Sequence, residues 1–167
     1  METSVTRQEA LDKLAELIKD INIAMLTTIE ADGNLHSRPM ATIKPEKFDG
    51  SLWFFTNKDS AKVDEVRHDD RVSLSYAEPG DNCYVAVSGT ARLVHDRSKI
   101  EELWNPIYHA WFPEGLDDPH LALLKVAAER AEYWDAPSSK MVQLYGFVKA
   151  IATGQAYDAG EHEQIKL

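Results

Sequence analysis

The chain has 167 residues, 44% of them apolar, which suits one domain with a substantial core. Its formal net charge of −10 opposes phosphate backbones and argues against nucleic acid as a partner, and no window approaches the roughly 20 uninterrupted apolar residues that span a bilayer. Met1-Glu2-Thr3-Ser4 lacks the basic and apolar regions of a signal peptide, and Cys83 has no second cysteine for a disulfide or a Cys-x-x-Cys pair; a cytoplasmic protein without zinc or dithiol chemistry is expected.

In chain order, Thr6-x-x-Glu9 has the form of a capping box, and Leu11, Leu14, Leu17, Ile18 and Ile21 recur at helical spacing, which predicts an amphipathic helix to about Lys19. From Ile23 the pattern turns β-rich. Strands are predicted over Ile23 to Ile29, Leu35 to Lys44 and Ser51 to Thr56, with a turn at Ala31-Asp32-Gly33-Asn34. Asp59-Ser60-Ala61-Lys62 opens a short helix through His68. Arg71 to Tyr76 reads as a strand, and a Pro79-Gly80-Asp81-Asn82 turn leads into a long strand from Cys83 to His95. Asp96 caps a helix with Ile100, Leu103 and Trp104. Trp111 to Pro119 reads as a loop, Leu121 to Ala128 as helical, and Arg130 to Asp135 and Met141 to Ala152 as the last strands. Residues 1–154 form the expected domain, and residues 155–167 a C-terminal tail prone to fray. The fold class expected is mainly β (α+β), an antiparallel barrel with peripheral helices.

The segment richest in chemistry is Trp53-Phe54-Phe55-Thr56-Asn57-Lys58-Asp59-Ser60-Ala61-Lys62, a strand delivering aromatic and hydroxyl groups to a turn that opens a helix. Unpaired helical N–H groups, the Ser60 hydroxyl and the Lys62 charge could hold a phosphate there. The alternative is that Ser60 only caps the helix and Lys62 is solvated. His36, His68, His95, His109, His120 and His162 form no helical His-x-x-x-His pair, so solvated or hydrogen-bonded histidines are expected rather than a metal site. Neither a Gly-x-Gly-x-x-Gly loop nor a Gly-x-Ser-x-Gly elbow is present.

The Phe54-to-Lys62 segment resembles the Phe-Tyr-Thr-Asn-x-x-Ser-Arg-Lys run of the pyridoxamine phosphate oxidases and their relatives, which are FMN-binding split β-barrels. Asp70-Arg71-Val72-Ser73-Leu74, Val87-Ser88-Gly89-Thr90-Ala91-Arg92-Leu93 and Glu132-Tyr133-Trp134 extend the resemblance to about Gly154. Ser37-Arg38-Pro39-Met40, Trp111-Phe112-Pro113-Glu114-Gly115 and Glu132-Tyr133-Trp134-Asp135 are similar to the bacterial general stress protein branch. The resemblance implies FMN, with FAD left open, held between two identical subunits. It places Arg38 and Met40 beside the flavin, Phe55 and Thr56 on the neighbouring strand, Ser60 and Lys62 on the phosphate, and Trp134 arriving from the second subunit. Each has a plainer reading: Arg38 paired with a carboxylate, Met40 and Phe55 in the core, Trp134 and Trp111 in interface packing.

Two features depart from the oxidases. Ala61 stands where they carry a phosphate-gripping arginine, and Tyr84 where a glutamine would contact the flavin. After Trp134 the chain reads Asp135-Ala136-Pro137-Ser138-Ser139-Lys140-Met141 in place of their Arg-x-His-x-Arg run, which argues against pyridoxamine phosphate as substrate. The expected function is a homodimeric, FMN-binding general stress protein acting as a flavin-dependent oxidoreductase, in which the flavin carries the chemistry and no side chain need be catalytic. The alternatives are a non-enzymatic flavin holder, or a barrel that takes deazaflavin or haem.

Overall fold

The computed structural model describes residues 6–136, 148–156 and 160–167. Helix α1 (Arg7–Ile18) begins as the sequence predicts. Thr6 Oγ1 accepts from the Glu9 backbone, and the Glu9 carboxylate accepts from the Thr6 N–H at 2.8 Å. The helix buries Ala10, Leu11, Leu14 and Ile18.

Among the described residues seven antiparallel strands follow: β1 (Ile23–Ile29), β2 (Leu35–Ala41), β3 (Ser51–Asn57), β4 (Arg71–Glu78), β5 (Cys83–Val94), β6 (Leu121–Asp135) and β7 (Glu161–Lys166). Helix α2 (Ala61–His68) joins β3 to β4, and α3 (Arg97–Leu103) follows β5. The strands run in the order β2-β1-β4-β5-β6-β3, with β7 added to β6. One bridge, Ile43 to Trp53, brings the chain after β2 back to β3 and closes the path into a split barrel. The mainly β, α+β class expected from the sequence is the one observed.

The barrel interior is filled by Leu26, Phe54, Leu74, Val85, Val87, Leu124 and Val126, and α1 adds Leu14 and Ile18 to the same cluster. A second cluster lies on the other face of the β3–β6 ribbon, where Trp53, Leu121 and Leu123 pack with Ile100, Leu103 and Phe112. This ribbon is therefore apolar on both sides.

That double burial overturns the helix expected at Leu121 to Ala128. The stretch is the first half of β6, paired with β3 from Ser51↔Ala127 to Asn57↔Leu121. A continuous apolar run has no period by which to tell a doubly buried strand from a buried helix, and its Ala, Leu and Lys residues favour a helix in isolation. Two further expectations are corrected near the end of the chain. The strand expected over Met141 to Ala152 lies outside the described residues up to 147, and residues 148–153 are helical. This helix closes at Gly154, whose φ of +68° is readily adopted by glycine and whose N–H bonds the Ala150 carbonyl at 2.9 Å. The tail expected to fray instead supplies β7. Its polar side chains meet partners on β6 and α1: Tyr133 donates to Glu163 at 3.0 Å, His162 contacts Glu132 at 2.8 Å, and Lys13 pairs with Glu161 at 3.4 Å. Among the described residues no helix is long and apolar enough to cross a membrane.

Candidate functional site

β2 and β3 are the two ends of the strand path, and the Ile43–Trp53 bridge joins the chain after β2 to β3. Away from that bridge Pro39, Met40 and Ala41 part from Phe55, Thr56 and Asn57, and a cavity of about 500 Å³ fills the gap. This volume falls within the roughly 300–1,000 Å³ of small-molecule sites. Tyr108, Trp111 and Phe112, from the 3-10 turn Pro106–Ala110 and the residues after it, complete an aromatic wall. The Phe55 ring packs 4.8 Å from that of Tyr108 and 5.5 Å from that of Trp104. Burial raises the Tyr108 hydroxyl above its ordinary titration range.

Of the residues singled out in the sequence, Met40, Phe55, Thr56 and Lys62 line this cavity together. Ser60 stands immediately behind them. It occupies the N-cap position of α2, yet its hydroxyl makes no capping bond; it lies 3.2 Å from Lys62 Nζ and 3.5 Å from Thr56 Oγ1. Lys62 Nζ also donates to Thr56 Oγ1 at 3.4 Å. Among the described residues no carboxylate lies within ion-pair distance of this half-buried ammonium. Desolvation, with help from the Arg38 charge, lowers its pKa against a smaller opposing pull from Glu65. A half-buried cation whose hydrogen bonds go to hydroxyls keeps its charge available to an anion.

Arg38 has a different environment. Its guanidinium reaches Glu65 Oε2 at 2.6 Å, Thr28 Oγ1 at 2.5 Å and His36 Nδ1 at 2.8 Å, with only 14% of the Arg38 side chain and 11% of the Glu65 side chain exposed. This is the carboxylate pairing weighed as the plainer reading for Arg38. Burial pushes the Glu65 carboxyl up, but hydrogen bonds from Thr28, His36 and Arg38 together with the Arg38 charge outweigh it and hold the pKa at about 2. Potential ligand atoms of Glu30, His36 and Glu65 lie within 4.8 Å of one another, and Arg38 already supplies a positive charge at that cluster.

Trp134 lies 13 positions beyond Leu121 on β6, past the half of that strand that pairs with β3. Its ring stacks on His162 at 4.9 Å and 10°, and it is 41% exposed. Its neighbour across β5 is Tyr84, also exposed.

The sequence reading did not assign Asn57, Tyr108, Asp118 or His120 to the site. Their shared signal was position: Asn57 lies inside the quoted aromatic segment, and Asp118 and His120 immediately precede β6, whose first residues pair with that segment. Trp111 and Phe112 belong to a motif that had been quoted, without a ligand role.

An antiparallel split barrel with a cleft between its end strands defines the broad class. The chain belongs to the family described as pyridoxamine 5'-phosphate oxidase like, which it matches over residues 9–158. It is 26% identical over 174 residues to protein bli-3 of Neurospora crassa, an alignment covering 99% of this chain and 83% of that protein. Among solved structures it is similar to the general stress FMN/FAD binding protein of Xanthomonas citri, with 33% identity, a TM-score of 0.67, and coverage of 79% of this chain and 92% of that one. A Clostridium acetobutylicum protein related to general stress protein 26 shares the fold, with a TM-score of 0.71 at 20% identity and coverage of 97% of each chain.

Proposed function

We propose that this protein binds FMN in the cleft between β2 and β3, with the phosphate at Lys62, Ser60 and Thr56 and the ring system toward Met40, Phe55 and the aromatic wall. The observation that carries the reading is Lys62, a half-buried cation without a carboxylate partner, set in a cavity otherwise rich in aromatic and apolar groups. The similarity to a general stress FMN/FAD binding protein supports it. When bound, the flavin supplies hydride or electron transfer; the chain's own residues bind the phosphate and wall the ring site with apolar groups. On this reading the protein is a flavin-dependent oxidoreductase rather than a pyridoxamine phosphate oxidase.

The site is completed by a second copy. The outer face of the sheet carries two rows in which small and apolar residues predominate: Pro39, Met25, Ser75 and Ala86 in register, ending at Glu132, and, one step along, Ala41 with Ile23 and Ala77 with Tyr84 and Trp134. Ile23, Met25, Tyr84 and Trp134 are exposed there. Ile23, Pro39 and Ala41 also line the cavity, so a subunit docked on this face would cover its mouth. Trp134 of that second copy is the residue proposed to approach the flavin.

Lys62→Met, which removes the charge and keeps most of the side-chain length, is expected to weaken FMN binding by one to two orders of magnitude, about 1.5–3 kcal/mol for a charged hydrogen bond. Riboflavin, which lacks the phosphate, should bind both proteins alike. Equal FMN affinities in a fluorescence titration would place the phosphate elsewhere. Bleaching of the bound flavin by a reduced nicotinamide cofactor separates an oxidoreductase from a flavin holder.

A further inference from the structure

The cavity lining carries a second group suited to an anion. His120 lines the cavity, and its Nδ1 lies 2.8 Å from Asp59 Oδ2 in the turn before α2. Its backbone is fixed on both sides: the Lys58 N–H donates to the His120 carbonyl at 2.9 Å, and the His120 N–H donates to Asp118 Oδ1 at 2.9 Å. An ionised carboxylate only accepts, so Nδ1 carries the hydrogen and Nε2 is the nitrogen left for another partner. With Asp59 ionised, this contact selects one tautomer of the imidazole.

His120 is close to Lys62. Thr56, whose hydroxyl accepts from Lys62, stands directly opposite Ala122 in the β3–β6 ladder, and His120 precedes Ala122 by one strand repeat, about 7 Å. The charged and titratable groups on the wall around His120 are Asp59, Asp118, Lys62 and Tyr108. Resting on the reading of the cleft as a phosphate-holding flavin site, we propose that His120, oriented by Asp59, is a second phosphate-binding residue that contributes only when protonated, so that a phosphorylated ligand binds with uptake of a proton. Neutral imidazole offers Nε2 only as an acceptor, which a fully ionised phosphate cannot use; protonated imidazole offers it a donor and a charge. The contribution is present where the imidazole is protonated and is lost where it is neutral.

The test is fluorescence titration of the full chain and its His120→Gln variant with FMN and riboflavin at pH 5.5 and 8.5. The wild type is expected to bind FMN at least tenfold more tightly than the variant at pH 5.5 and equally at pH 8.5, while riboflavin does not discriminate between them. Taking the ratio to the variant cancels the titration of the ligand phosphate, whose second pKa is about 6. An unchanged ratio across pH overturns the proposal. A second readout is independent of flavin: the His120 ring signals in the NMR spectrum, identified by their loss in His120→Gln, followed on addition of inorganic phosphate at pH 5.5. If no flavin binds but phosphate moves these signals, the flavin reading falls and the phosphate site stands. If neither flavin binds nor phosphate moves them, both are overturned.

Discussion

Glu65 and Lys62 lie on neighbouring turns of one helix, yet their charges meet opposite fates. Glu65 is satisfied by Arg38, Thr28 and His36, whereas Lys62 meets only hydroxyls. The first is a structural pair, and removing one partner strands the other charge in a poorly solvated place. Because the Glu65 pKa lies below its ordinary 4.5, at about 2, its stabilisation is complete above the ordinary value and is lost as pH falls toward the folded one. At about 1.4 kcal/mol per pH unit, the gap corresponds to about 3 kcal/mol. Glu65→Gln is therefore expected to lower stability in urea by about that amount at pH 7 and by about half of it or less at pH 3. An equal loss at both pH values would show that the carboxylate charge does not stabilise the fold.

At the scale of elements, β5 and β6 stay paired along their length by absorbing one extra residue. Ser88 faces Arg130 and Gly89 faces Ala128, which leaves Glu129 bulged. Gly89 permits the close approach: a Cβ there would meet the Ala127 carbonyl oxygen at 2.0 Å. Gly89→Ala should cost about 3 kcal/mol or more, since the obstacle is backbone and no rotamer relieves it. Thermal unfolding checks this, and an unchanged midpoint would contradict the bulge geometry. Elements whose burial follows a period were legible in the sequence. The β1 alternation, the capping box at Thr6 and the turn before Leu35 are local signals, and each appears where expected. The first half of β6 was hidden because burial on both faces erases its period, whereas Arg130 to Asp135 was read as a strand; β7 was hidden because only Ile165 is buried while its other contacts are polar pairs with distant residues. The site was legible where one segment carries it, from Phe55 to Lys62. It was illegible at Asp118 and His120, whose relevance comes from pairing across some 60 positions of chain.

For the whole molecule, the cleft and the exposed sheet face are one feature. The strand path ends at β2 and β3, their separation opens the cavity, and residues of β1 and β2 serve both its wall and the outer face. Flavin binding and dimerisation should therefore fail together when that face is altered without touching the core. Met25 is 41% exposed and lines no part of the cavity, so Met25→Lys leaves the fold intact while placing a charge in the proposed interface. The most direct test is size-exclusion chromatography of the wild type and this variant after incubation with FMN, with flavin and protein absorbance recorded together. The wild type is predicted to elute as a dimer carrying flavin in proportion to protein, and the variant as a monomer depleted of it. Free flavin eluting apart from a wild-type dimer would contradict the account.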